Sequence, residues 1–299
     1  MSISLLAHIE QASAQFEQAQ IALGQGTLHY ADEAAWLVLW AAKLPLDTDC
    51  SSAEFAGSAA NTAPSAALEE KISALIAQRI RSRQPAAYLT QEAWLQGVPF
   101  YVDARCIVPR SLIAEIIADG SADVWLDPQA TSALDLCTGN GSLAVLAAMA
   151  WPDLQITASD LSTDALAVAH INVEKHGLQN RIQLLQGAGL APAMAQGLRF
   201  DLVLCNPPYV NAQSMAALPA EFLAEPALAL AGGADGMDFV RPLLAELPQV
   251  LSENGVLILE IGHERAFFEA AFPQLAPMWL ETSAGGDQVL LLTREMLLL

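Results

Sequence analysis

The chain has 299 residues, 54% of them hydrophobic, enough to bury one large core or two modest ones, and two domains are expected. Its 33 acidic against 13 basic residues leave a formal charge of -20; such a surface repels phosphate backbones, and a soluble basic protein suits it better than naked nucleic acid. The N-terminal MSISLLAHIEQASAQFEQ lacks a basic start and a continuous apolar block, and no apolar run reaches about 18 residues, which speaks against export and against a membrane-spanning segment.

Residues 3–23 carry Leu5, Leu6, Ile9, Phe16 and Ala19 near helical spacing until Gly24 and Gly26 interrupt it. A second helix is expected from Asp32 to Lys43, stopping before Pro45. CSSAEFAGSAANTAPSAA, residues 50–67, offers little to pack and reads as a mobile loop. From Leu68 to Arg83 the helical period returns, with Leu68, Ile72, Leu75, Ile76 and Ile80 on one face. Lys71, Arg79, Arg81 and Arg83 are the nearest approach to a basic patch and read as the solvated side of that helix. Residues 1–85 are therefore expected to form a helical domain. Residues 86–111 alternate as strands do, with a turn at Gly97-Val98-Pro99, and predict a β-hairpin linker.

A helix from Leu112 to Ala118 opens the domain assigned to residues 112–299, and from Ala133 strands and helices alternate. Strands are expected at ALDLC (133–137), ITASDL (156–161), IQLLQ (182–186), FDLVLC (200–205), VLILEIG (256–262), MWLETS and QVLLLTR. Helices are expected at 142–150, from the N-cap Ser162 to His176 before Gly177, near 239–251 and near 265–272. Near-continuous apolar strands separated by helices predict an α/β fold with a mostly parallel seven-stranded sheet. The AGGD turn between the last two strands is too short for a crossover and predicts an antiparallel edge hairpin.

DLCTGNGSLA, Asp135 to Ala144, places glycines where an open α/β sheet binds its ligand, so that backbone amides can approach a nucleotide. Gly139-x-Gly141-x-x-Ala144 also fits a dinucleotide fingerprint, and Asp160, 25 residues after Asp135, stands where an acid accepts ribose hydroxyls in either case. An aspartate serving only as a strand-end turn residue is the bland alternative. Two features favour S-adenosylmethionine over a nicotinamide: Asp135 in the strand just before the glycine loop, and Asn206-Pro207-Pro208-Tyr209 ending the fourth strand. As plain structure, Asn-Pro and Pro-Pro are turn dipeptides.

LDLCTGNG, ASDLS and NPPYV in that order resemble the S-adenosylmethionine-dependent protein glutamine N5-methyltransferases, class I (Rossmann-like) enzymes. FYVDARCIVPRS (100–111) and EPALALAGGADG (225–236) are the more specific words, and the likeness extends over most of the chain. It is nearest the branch acting on the third protein of the large ribosomal subunit; the sister branch, acting on release factors, usually continues after Pro-Arg with a Pro-Glu-Thr-Glu-like run, whereas Arg110 is followed here by SLIAE. The resemblance implies S-adenosylmethionine as cofactor, with S-adenosylhomocysteine as product. It places Asp135, Cys137, Thr138, Gly139, Asn140, Gly141, Asp160, Leu161 and Asn206 around that cofactor, with Phe100 and Arg110 near the methyl-donor end. Arg110 as a structural ion pair is the alternative. Glu225 and Pro226 are expected to shape the substrate loop, with Glu225 as a plain surface acid the alternative. Ala188 stands where such enzymes usually carry an Asp toward adenine, and Cys137 and Asn140 replace more frequent small residues.

Amide nitrogen is a poor nucleophile, so the expected task is aim. Asn206 and the Pro207 carbonyl would accept the two amide N–H groups, the stiff Pro207-Pro208 corner would hold them, and Tyr209 would offer a flat face and a quadrupole for a sulfonium. The expected partner is a large-subunit ribosomal protein, free or in an assembly intermediate, with no direct nucleic-acid recognition and no membrane. A nucleic-acid adenine or guanine methyltransferase, sharing NPPY, and a nucleotide-binding module without catalysis are the competing readings. Cys50, Cys106, Cys137 and Cys205 have no CxxC spacing and read as reduced thiols of a cytoplasmic protein. The five histidines form no pair at metal-ligand spacing, and no metal is implied.

Overall fold

The computed structural model describes residues 3–298, which divide into two units. The first comprises the described residues through Glu92 with Pro219–Ala224; the second comprises Ala93–Leu218 and the described residues from Glu225.

In the first unit, helices Leu5–Gln18, Tyr30–Ala42 and Ala66–Ser82 carry the apolar core. Ser4 starts the first by accepting the Ala7 amide, and Leu5, Ile9, Ala12 and Phe16 form its buried stripe. Two expectations are corrected here. Residues 50–67 are not a bare loop: they hold a short helix, Ala53–Gly57, and a 3-10 turn, Ala59–Asn61, capped by Ser52 and Ser58. Phe55 is buried, and the Asn61 side chain accepts the Leu6 amide at 2.8 Å. The small polar residues of that stretch serve as caps. Arg79 is not on a solvated face either. Ile72, Leu75, Ile76 and Arg79 follow helical spacing on the buried side, where Arg79 is 1% exposed. Its guanidinium meets Glu33 at 2.6 Å and Glu221 at 3.5 Å and donates to the Ala22 carbonyl at 3.0 Å. Lys71 and Arg81 are exposed as expected.

In the second unit, β1 (Ala93–Leu95) and β2 (Val98–Phe100) form an antiparallel hairpin. A short helix, Ala86–Thr90, precedes it in the first unit, where strand alternation had been expected. The hairpin turn is Gln96-Gly97, both at positive φ, one residue earlier than predicted, because two such residues match the twist of the flanking strands. The main sheet consists of β3 (Ser132–Leu136), β4 (Gln155–Asp160), β5 (Ile182–Gln186), β6 (Phe200–Cys205), β7 (Leu251–Glu260), β8 (Met278–Thr282) and β9 (Gly285–Thr293). Its order is β5-β4-β3-β6-β7-β9-β8. All pairs through β7 are parallel; β9 runs antiparallel to both β7 and β8 and lies between them.

Alternate residues of the central strands feed two cores. Ala133, Leu202, Leu204 and Ile258 pack with Ile113–Ala118 and Ser142–Ala150 on one face; Leu134, Leu136, Val203 and Leu259 pack with Val240–Glu246 and Arg265–Ala271 on the other. A sheet covered on both faces needs strands apolar throughout. β3 neighbours β4 on one side and β6 on the other, so the strand order reverses at β3 and a crevice opens beyond the carboxyl ends of these strands.

Candidate active site in the second unit

A cavity of about 430 Å³ occupies that crevice. Leu136, Cys137 and Gly139 contribute from the end of β3, Ser159 to Ser162 from β4, Gly187 to Gly189 from beyond β5, and Asn206 and Pro208 from beyond β6. Arg105 to Ile107, Pro226, Leu228, Ala229 and residues around Phe239 close it.

The glycine loop is held from behind. Asp135 is buried and accepts the Thr138 hydroxyl and the Ala144 amide on Oδ2, so one carboxylate fixes both ends of the bend. Burial pushes its pKa up to about 7, against the opposing pull of those two hydrogen bonds. Asp160 accepts the Gly139 amide at 2.9 Å and the Ser162 amide at 2.8 Å while lining the cavity; burial raises its pKa too, with the amides opposing. Asn140 accepts the Ser142 amide, and its carbonyl accepts Asn172 Nδ2 at 2.8 Å. Asn172 also bonds both backbone groups of Tyr101, tying the glycine loop to the segment after β2. At Gly141 an added Cβ would lie 3.2 Å from that of Ala169.

Of the residues marked from sequence, Cys137, Gly139, Asp160, Leu161, Asn206 and Pro208 are on the cavity wall; Asp135, Thr138, Asn140 and Gly141 support it. Phe100, Arg110, Pro207 and Tyr209 are not part of the wall. Phe100 is fully buried, its ring centroid 5.4 Å from that of His176. Arg110 forms a two-pronged pair with buried Glu225, at 2.6 and 2.7 Å, and Glu225 also accepts the Val108 amide at 2.9 Å. Glu225 is thus a structural clamp beside Pro226, not a plain surface acid. Tyr209 gives its hydroxyl to Glu260 at 3.1 Å, and burial with that carboxylate raises its pKa.

Sequence reasoning did not find Ser159. The residue lines the wall, and its hydroxyl is buried with no described hydrogen-bond partner. The only signal was its place before Asp160. The wall carries Asp160, Asp238 and Glu246 against Arg105, and Arg105 is already engaged by Asp103 at 2.6 to 3.1 Å. The cavity therefore favours a cation.

Residues 123–237 match the family described as the methyltransferase small domain. These residues hold the glycine loop, Asp160 and NPPY. Over 290 residues the chain is 52% identical to the ribosomal protein uL3 glutamine methyltransferase of Bordetella pertussis, covering 97% of this chain and 94% of that one. The enzymes of the same name from Neisseria gonorrhoeae and Bradyrhizobium diazoefficiens are 45% and 42% identical, each over 96% of this chain, covering 93% and 89% of theirs. The chain belongs to the ribosomal protein uL3 glutamine methyltransferase family. It is a methyltransferase, as the resemblance implied. Among solved structures, the hMettl16 catalytic domain in complex with an RNA hairpin superposes with a TM-score of 0.51 at 14% identity, covering 73% of this chain and 81% of that one, a likeness of fold. Among the described residues no helix of this family member is long and apolar enough to cross a membrane, and no group of three or more His, Cys, Asp or Glu could hold a metal ion.

Proposed function

We propose that the chain transfers the methyl group of S-adenosylmethionine to the side-chain amide nitrogen of a glutamine in protein uL3 of the large ribosomal subunit. The carrying observation is at the end of β6. Asn206 stands on the cavity wall with its carboxamide bonded to no described residue, and the adjacent Pro207 carbonyl likewise accepts no described hydrogen bond. Two acceptors on consecutive residues of a stiff turn match in number the two N–H groups of a primary amide.

The cavity residues fit the cofactor. Asp160 has lone pairs left for ribose hydroxyls, Ser159 brings an unsatisfied hydroxyl, and the acidic wall suits a cationic group. With no acid at position 188, the Gly187–Gly189 backbone and apolar Leu161 are left to receive the adenine. When bound, S-adenosylmethionine supplies a methyl already activated on a sulfonium sulfur. Asn206 and Pro207 orient the glutamine nitrogen, Pro208 completes the wall beside them, and Tyr209 offers a flat face to the amide. No base is assigned, since the extra proton can leave to solvent after transfer. Arg110 acts through Glu225, which holds the Pro226 wall; Phe100 supports the hairpin by packing.

The helical first unit is read as the module that takes the protein substrate, free or in an assembling particle, in the cytoplasm. The charge of -20 weighs against a nucleic-acid substrate. The test is a tritiated methyl donor offered to ribosomal proteins, RNA and DNA, with hydrolysis of whatever is labelled. Methylglutamine supports the reading and a labelled purine overturns it. Asn206→Ala should lower kcat roughly 10²- to 10³-fold; full activity in that variant would remove the acceptor role.

A further inference from the structure

The hydroxyl and the backbone of Tyr209 are held by groups that the transfer does not use. Leu259 pairs with Cys205, so Glu260, the last residue of β7, stands level with Asn206 on the neighbouring strand. Glu260 is buried and takes three hydrogen bonds: the Tyr209 hydroxyl at 3.1 Å on one oxygen, the Ser111 hydroxyl at 2.6 Å and the Leu112 amide at 2.9 Å on the other. The backbone is clamped as well. Val210 donates to Leu230 at 2.9 Å and accepts from Gly232 at 2.8 Å. A Cβ on Gly232 would fall 2.6 Å from the Tyr209 carbonyl carbon, and one on Gly236 would fall 2.3 Å from its oxygen. One on Gly262, at φ +53°, would lie 2.5 Å from the ring. None of these three positions has room for a side chain.

A phenylalanine against an apolar neighbour would fill this space without the penalty of burying a carboxylate. What the carboxylate adds is direction, because its hydrogen bonds fix the hydroxyl end of the ring relative to the sheet, two residues from the Pro207 carbonyl. We propose that Glu260 is a positioning residue for the methyl transfer: through the Tyr209 hydroxyl it sets the angle of the Asn206-Pro207-Pro208-Tyr209 turn, and Gly232, Gly236 and Gly262 hold the tyrosine in that one place. The proposal rests on Asn206 and Pro207 being the amide acceptors.

The experiment compares the full chain with Tyr209→Phe, Glu260→Gln and the double variant, using uL3 and the methyl donor. It reads kcat, KM for uL3, donor affinity by calorimetry and thermal melting. Each single change should lower kcat on the order of 10²-fold, as a misplacement of about 1 Å does. Donor affinity and KM should stay within about threefold of the parent, and the double variant should be no slower than the singles, since both break one connection. Parental kcat in folded Tyr209→Phe, or losses that multiply in the double variant, overturn the proposal. If Glu260→Gln does not fold, Tyr209→Phe, which keeps the ring, decides by the same kcat criterion. A parent chain that labels no glutamine sinks the functional reading first; an active parent with unaffected variants sinks the positioning role alone.

Discussion

Cys137 occupies the left-handed region at φ +61° where the glycine loop leaves β3. A residue with a Cβ pays about 1–2 kcal/mol there, while glycine pays part of that back in chain entropy. Cys137→Gly is therefore expected to raise the melting temperature, by up to about 1 kcal/mol of stability. Asp135 shows the opposite economy: its carboxyl is displaced from 3.8 to about 7 by burial. The folded state then holds a proton that the unfolded chain has released across that interval, so this group's contribution to stability falls as pH rises from about 4 to 7. Asp135→Asn, which can still accept from Thr138 and Ala144, should lack this fall. The stability difference between variant and parent, followed by urea unfolding without methyl donor, should shift by a few kcal/mol in the variant's favour over that range.

At the level of elements, the segment after β2 is held to the cavity wall through the pair Arg110–Glu225. The two partners are not equivalent, because the Arg110 side chain keeps 25% exposure and that of Glu225 none. Arg110→Ala strands a buried charge and should cost about 3–5 kcal/mol. Glu225→Ala leaves a guanidinium that water can reach and one buried amide, Val108, and should cost about 1–3 kcal/mol. Denaturant midpoints at constant slope check the order, and equal losses would contradict it. The elements of the sheet were legible because its central strands are short apolar runs and a cap such as Ser162 marks the start of Thr163–Lys175. The short helix and 3-10 turn within residues 50–67 were not, since two small serine-capped turns look like linker until Phe55 and Asn61 find their partners elsewhere in the first unit.

Over the whole molecule, a charge of -20 on 299 residues produces a field that draws in a basic polypeptide. The association with uL3 should weaken as ionic strength rises and the Debye length shrinks from about 10 Å at 0.1 M to about 3 Å at 1 M. KM for the protein substrate is expected to climb across that series while kcat at saturation stays level; a falling kcat at constant KM would refute the steering argument.

The amino-acid sequence by itself determined the class of fold, the glycine loop, Asp160 and the NPPY corner, because these depend on local periodicity and on turn chemistry within a few residues. Tertiary structure alone decided that Arg79 is buried between Glu33 and Glu221, that the Ser159 hydroxyl is buried beside the cavity with no described partner, and that Glu260 grips Tyr209. The ion pairs of Arg79 and the Glu260–Tyr209 bond join groups tens to more than a hundred positions apart, and the surroundings of Ser159 and Tyr209 exist only once the strands lie in the order β5-β4-β3-β6-β7-β9-β8.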